Sequence, residues 1–192
     1  MSQSRISLKE VTKVYNKQVI LNKLTFDFKD ELYVLQGING SGKSTLVKSI
    51  TNIVNITKGV INVNGKVCYL PEKFELPRNM TSYQILKMYK KDKKEIQDIL
   101  TQWEIPNKRL NSLSKGNFQK LGIALMVIQN VEIYIFDEPT DSLDVDIIKV
   151  FKSAIKLLKE KNKCIIVILH QLSIDELSPI KVTMNGGELC LN

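Results

Sequence analysis

The sequence predicts an α/β fold with a mostly parallel central sheet, an antiparallel β subdomain at the N-terminus and a small helical insert. Three observations carry that prediction. Apolar runs at 32–36, 131–136 and 164–169 are short and alternate with helical stretches, as expected of strands buried on both faces of a parallel sheet. The first thirty or so residues alternate strand-like and turn-like stretches. Between the first two apolar runs lies a long span whose apolar residues recur at helical spacing. The chain has 192 residues, 43% of them hydrophobic, enough for one well-buried domain with a small subdomain.

In order, 5–11, 19–28 and 32–36 read as strands, with turns at Asn16-Lys17 and Lys29-Asp30. A helix follows to about residue 51. Residues 59–63 and 66–70 read as a hairpin closed by Asn64-Gly65, a type I′ turn signal. The stretch 81–103 reads as helical, with apolar positions at Ile85, Leu86, Met88 and Tyr89, then Ile96, Ile99, Leu100 and Trp103. Residues 115–129 are helical and apolar on most sides, so that helix should be buried. A central strand at 131–136, an amphipathic helix at 144–161, a buried strand at 164–169 and short strands near 180–185 and 187–191 complete the chain. No repeat, low-complexity segment or linker interrupts it. The expected organisation is a single domain over 1–192. Within it, 1–72 and 131–192 form the core with its β subdomain, and 73–130 form the helical subdomain.

Composition narrows the setting. No run approaches the roughly 20 apolar residues that span a bilayer, and the N-terminus lacks an apolar signal-peptide core, so a cytosolic protein is expected. Cys68, Cys164 and Cys190 lie far apart in apolar stretches and read as reduced core thiols rather than a disulfide or metal site. The formal charge is +8, and Lys87, Lys90, Lys91, Lys93 and Lys94 form its densest cluster. Aromatic interleaving is thin there, so the cluster reads as a solvated helix face, and no nucleic-acid partner is expected.

Chemistry enters at Gly37-Ile38-Asn39-Gly40-Ser41-Gly42-Lys43-Ser44-Thr45, the P-loop pattern G-x-x-x-x-G-K-[ST] set between an apolar strand and a helix start. The glycines let successive N–H groups curl toward one anion, and the helix N-terminus adds its partial positive charge. Lys43 can reach β- and γ-phosphates, and the Ser44 hydroxyl can ligate Mg²⁺. A second signal is Ile133-Tyr134-Ile135-Phe136-Asp137-Glu138, where a buried strand delivers Asp137 at its C-terminal end, the place where open α/β sheets hold ligands. Asp137 can hold Mg²⁺ directly or through water. Glu138, expected on the opposite side of the pleat, is placed to polarise a water attacking the γ-phosphate.

Further motifs follow in a fixed order: Leu113-Ser114-Lys115-Gly116-Asn117, then Pro139-Thr140-Asp141-Ser142-Leu143-Asp144, then His170, the one histidine of the chain, directly after a buried strand. Together with the P-loop and Asp137-Glu138 they resemble the nucleotide-binding subunit of an ATP-binding cassette (ABC) transporter, over nearly the whole chain. The resemblance implies a P-loop NTPase core whose helical insert carries a signature sequence at Ser114 and Gly116, and a D-loop with Asp144 as its aspartate. It makes His170 the switch histidine and Tyr15 the aromatic that stacks on adenine. The implied activity is hydrolysis of ATP with Mg²⁺. Two cassettes, identical or not, would pack head to tail so that Ser114 and Gly116 of one cap the γ-phosphate held by the other.

The chain departs from the family pattern in places. The position usually occupied by a glutamine that touches Mg²⁺ is Glu72, after Tyr69-Leu70-Pro71. A carboxylate can ligate Mg²⁺ at least as well but adds negative charge near the phosphates. Some ABC-2-type exporters carry a similar Tyr-Leu-Pro-Glu, which points to export. Asn117 and Lys115 replace a glutamine and a glycine of the signature. The chain ends soon after its last strands, so no C-terminal regulatory domain is expected. The resemblance implies an integral-membrane permease on a separate chain, docked near 72–80, and a peripheral place on the inner face of the plasma membrane. A competing reading is a soluble ABC ATPase in a non-transport role such as iron–sulfur cofactor assembly.

Overall fold

The computed structural model describes residues 4–90, 92–139, 145–169 and 172–191. Strands β1 (Ile6–Tyr15) and β2 (Gln18–Phe28) pair antiparallel, turning through Asn16 and Lys17, both at positive φ. Strand β3 (Leu32–Gln36) runs into the P-loop, which opens helix α1 (Lys43–Ile50). Next come β4 (Lys58–Val63) and β5 (Val67–Leu70), then α2 (Ser82–Tyr89), α3 (Lys93–Gln102) and α4 (Lys115–Ile128). Strand β6 (Ile133–Asp137), helix α5 (Val145–Glu160), β7 (Cys164–Ile168), β8 (Ile180–Asn185) and β9 (Glu188–Leu191) finish the chain.

Two sheets result. The smaller has the order β2-β1-β4 and is antiparallel. The larger has the order β5-β6-β7-β3-β8-β9, parallel throughout except for the β8–β9 pair at its edge. The period-2 alternation of its central strands sorts the core into two layers. In β7, Cys164, Ile166 and Ile168 face one way, packing with α1 (Leu46, Val47, Ile50) and with Ile6, Leu8 and Phe28 of the small sheet. Ile165 and Val167 face the other way, toward α2 to α5. Helix α1 is thus held between the two sheets, and its N-terminus is fixed at the C-terminal edge of the parallel strands.

One expectation is overturned. Residues 59–63 and 66–70 do not form a hairpin: β4 pairs with β1 in the small sheet, while β5 pairs with β6 in the large one. A type I′ turn needs positive φ at both central residues, and here Gly65 has it (φ 126) but Asn64 does not. Gly65 is needed for close approach instead, because a Cβ there would lie 2.7 Å from Cβ of Glu132. The stretch 81–103 is helical as expected, and it is divided into two helices. Lys90 is extended, and Asp92 caps α3 by accepting the Glu95 N–H at 2.9 Å. Thr81 and Gln84 close a reciprocal capping box on α2. Among the described residues no helix is long and apolar enough to cross a membrane.

Candidate active site

The P-loop joins β3 to α1. Gly42 caps α1 at φ 106, and a Cβ there would meet the Ile20 carbonyl at 2.9 Å, so only glycine lets the loop turn this tightly against β2. Lys43 folds back along the loop, its Nζ donating to the carbonyls of Gly37 (2.7 Å) and Ile38 (3.0 Å). Burial lowers its pKa, and the carboxylates of Glu138 and Asp137 act in the opposite direction. Ser41 is buried, and its Oγ has no hydrogen-bond partner.

Asp137 stands at the end of β6, only 3% exposed. The Ser44 hydroxyl donates to its Oδ1 at 3.4 Å, and the Tyr69 hydroxyl donates to its Oδ2 at 3.1 Å. Burial raises the Asp137 pKa and Glu138 adds to the rise, while Tyr69, Ser44 and Lys48 oppose it. Burial, with the neighbouring Asp137 charge, also raises the Tyr69 phenol far above its ordinary value.

Glu138 corrects one detail of the sequence reading. It does not continue the pleat: its φ is 52, a left-handed conformation, while its N–H still donates to Ile168 at 3.2 Å. The backbone leaves the strand at this residue, so the extended-strand argument does not set its direction. It nevertheless borders a cleft of about 500 Å³ with Asn39, Gly40, Gly42, Lys43, Ser44, Thr45, Glu72 and Tyr15. Glu72, one of those lining residues, has its Oε1 4.0 Å from Lys73 Nζ. Tyr15 ends β1 at 43% exposure, with Lys13 Nζ 4.5 Å from its ring centroid.

The structure therefore brings together the P-loop, Asp137, Glu138, Glu72 and Tyr15. It does not bring Ser114 and Gly116 to this cleft. Ser114 caps α4, accepting the Asn117 N–H at 3.2 Å, and Gly116 lies in the first turn of that helix. His170 and Asp144 lie outside the described residues.

The donor set fits Mg²⁺ held by Ser44 and Asp137 with phosphate and water oxygens, the kind of shared oxygen shell this ion prefers. No group of three or more His, Cys, Asp or Glu among the described residues is arranged to hold a metal by itself. The amides of the first turn of α1 have no partner within the helix, the arrangement that suits an anion.

Sequence reasoning missed two contacts. Tyr69 had been placed only as part of the strand before Glu72. The signal for its role was the parallel pairing of β5 with β6, which single-sequence patterning does not show. Gln119 Nε2 donates to the Pro139 carbonyl at 2.9 Å, tying α4 to the loop that follows Glu138.

Comparison with known proteins gives this geometry its family. The family model described as ABC transporter matches residues 21–141. The chain belongs to the ABC transporter family. As an ABC cassette it is an ATPase. It is 34% identical over 180 residues to an ABC transporter ATP-binding protein of Methanocaldococcus jannaschii, covering 88% of this chain and 69% of that protein. It is 29% identical to a zinc import ATP-binding protein of Rickettsia conorii, covering 99% of this chain and 87% of that one. A lantibiotic transport ATP-binding protein of Streptococcus pyogenes is 30% identical, over 88% of this chain and 81% of that protein. Among solved structures, a bacterial ABC transporter cassette seen as a dimer superposes with a TM-score of 0.83 at 23% identity, covering 96% of each chain. The ABC cassette fold is thus the fold of this chain.

Proposed function

We propose that this ABC cassette binds and hydrolyses ATP with Mg²⁺ as one half of a head-to-tail dimer and drives a separate membrane permease, with export as the direction. The observation that carries it is the Ser44–Asp137 pair, 3.4 Å apart at the mouth of the P-loop and bordered by Glu138.

Each residue then has a task. Lys43 exchanges its loop carbonyls for phosphate oxygens, and the amides of the P-loop and of the first turn of α1 orient the triphosphate. Tyr15 offers its ring to adenine. Ser44 and Asp137 would hold Mg²⁺, with Glu72 as a further oxygen ligand; when bound, the ion would supply charge neutralisation for the phosphates. Glu138 accepts a proton from the attacking water. Because Ser114 and Gly116 are not in their own chain's cleft, a second cassette is the source of the helix N-terminus that caps the γ-phosphate. His170 would orient that phosphate with Glu138, and Asp144 would meet the opposing cassette. Phosphoryl transfer needs mostly positioning and charge stabilisation, which suits a site completed only on closure. Tyr69-Leu70-Pro71-Glu72 supports export. The named relatives include a zinc import protein and a lantibiotic transport protein, so the cargo is a separate question. The permease would dock near 72–80, on the cytoplasmic side of the membrane.

The test is Glu138→Gln. Mg²⁺-dependent hydrolysis should fall by at least about a hundredfold, the scale of a lost general base, and the variant should accumulate as a dimer only with ATP and Mg²⁺ in sedimentation. A monomeric variant with normal turnover at saturating ATP sinks the reading.

A further inference from the structure

We infer that Tyr69 is a positioning residue for the metal ligand Asp137, holding one carboxylate oxygen so that the other is presented beside Ser44. The inference rests on the reading above that Asp137 holds Mg²⁺, and it assigns a structural task to Tyr69, which that reading gave none.

The parallel register dictates the contact. Tyr69 of β5 is paired with Ile135 of β6. Alternate residues of a strand share a face, so Asp137, two beyond Ile135, projects on the same face. That face packs on α1: Tyr69 is half-buried against the cluster that contains Ile133, Ile135, Leu46, Val47 and Ile50. The N-terminus of α1 brings Ser44 to the same spot from above. The carboxylate is therefore gripped from two sides, with the Tyr69 hydroxyl on Oδ2 at 3.1 Å and the Ser44 hydroxyl on Oδ1 at 3.4 Å. A carboxylate can rotate about its last torsion, which is broad and roughly two-fold. A donor on one oxygen removes that freedom and fixes which lone pairs face the metal. Partners of this outer kind orient ligands, and their loss typically weakens metal binding by about ten- to a hundredfold. Tyr69→Phe keeps the ring that packs on the core and removes only the hydroxyl.

The experiment uses the full chain in the Glu138→Gln background, saturated with ATP, and titrates Mn²⁺ by loss of the free-ion electron paramagnetic resonance signal. ATP affinity in EDTA is measured in parallel. Tyr69→Phe should weaken Mn²⁺ binding about tenfold while leaving the EDTA value unchanged, and Asp137→Asn should weaken Mn²⁺ binding at least as much. If Asp137→Asn loses the metal and Tyr69→Phe does not, the role of Tyr69 is overturned and the role of Asp137 stands. If neither variant changes Mn²⁺ affinity, the metal-ligand reading of Asp137 fails and takes this inference with it. If Tyr69→Phe lowers ATP affinity in EDTA as much as it weakens Mn²⁺ binding, the residue is merely structural and the inference is wrong.

Discussion

Replacing Gly122 by alanine should destabilise this protein, although the same change in an ordinary helix stabilises it. Gly122 lies inside α4 at a regular helical backbone, so alanine is conformationally acceptable and should gain about 0.5–1 kcal/mol. The obstacle is Phe74. A Cβ on Gly122 would sit 2.3 Å from Cζ and 2.9 Å from Cε1 of that ring. Ordinary contact begins near 3.4 Å, so the ring must retreat by about 1 Å, and overpacking of this kind costs about 1–3 kcal/mol. Retreat also disturbs the stack of Phe74 on Phe118, whose centroids are 4.9 Å apart at 14° and over which Arg78 lies at 5.0 Å. A pair of this kind contributes about 0.5–1.5 kcal/mol. The net expectation is a loss of about 1–2 kcal/mol for Gly122→Ala.

In a Phe74→Ala background the obstacle is gone, and the same substitution should stabilise by about 0.5–1 kcal/mol. Urea denaturation of the four proteins of the cycle measures this, with a coupling of about 1.5–3 kcal/mol expected. An effect of the same sign and size in both backgrounds would refute the reasoning. The stake is functional, because Phe74 stands two residues after Glu72. Its contact with α4 joins the segment that carries Glu72 to the helix whose first turn is the signature.

Three further predictions come from the site and the core. Tyr15→Ala should weaken ATP binding about tenfold, since stacking on an aromatic contributes about 1–3 kcal/mol per base, and Tyr15→Trp should retain affinity; fluorescent-nucleotide titration decides, and equal affinities would remove Tyr15 from the site. Burial lifts Cys68 from an ordinary value of 9.0 to about 11, and Cys164 to about 12. The folded thiols keep their protons where the unfolded ones lose them, so stability is full below about pH 9 and falls as pH rises toward 12; chemical denaturation at pH 8, 9 and 10 reads that decline. At pH 8, native protein should label at Cys190, which is exposed, and at the other two only after unfolding; rapid native labelling of all three would contradict the burial.

Much of the site was legible because its determinants are local. The P-loop needs only neighbouring residues: glycines that turn, a lysine and a serine at a helix start. Asp137 was legible because four apolar residues lead straight into it. The helical span was legible, but not the break within it, because Lys90 is a good helix former and only Asp92 marks the restart. Lys90 and Asp92 leave α2 and start α3, and the Asp92-to-Glu95 cap was the overlooked signal. Glu138 was read as one more step of a pleat, whereas its backbone turns left-handed as β6 ends. A side chain's aim past a strand end depends on one torsion that composition does not report.

The hardest part to read was the one that matters most for the site. Asn64-Gly65 looks like a hairpin, and a hairpin would have left β5 in the small sheet beside β4. In the folded chain, that dipeptide instead carries the backbone from one sheet to the other. Contacts with Glu132 help hold the crossing: the close approach of Gly65 to it, and the Lys66 N–H donating to its Oε2 at 2.8 Å. Glu132 immediately precedes β6, so the crossing and the strand it pairs with are registered by one side chain. That register pairs Val67 with Ile133 and Tyr69 with Ile135, and so carries the Tyr69 hydroxyl to Asp137. A larger residue at 65 would push Glu132 aside and threaten the pairing four residues before Asp137 is reached. The glycine read as a turn former is therefore better understood as the clearance that lets β5 dock, and the geometry of the phosphate site depends on it from a distance.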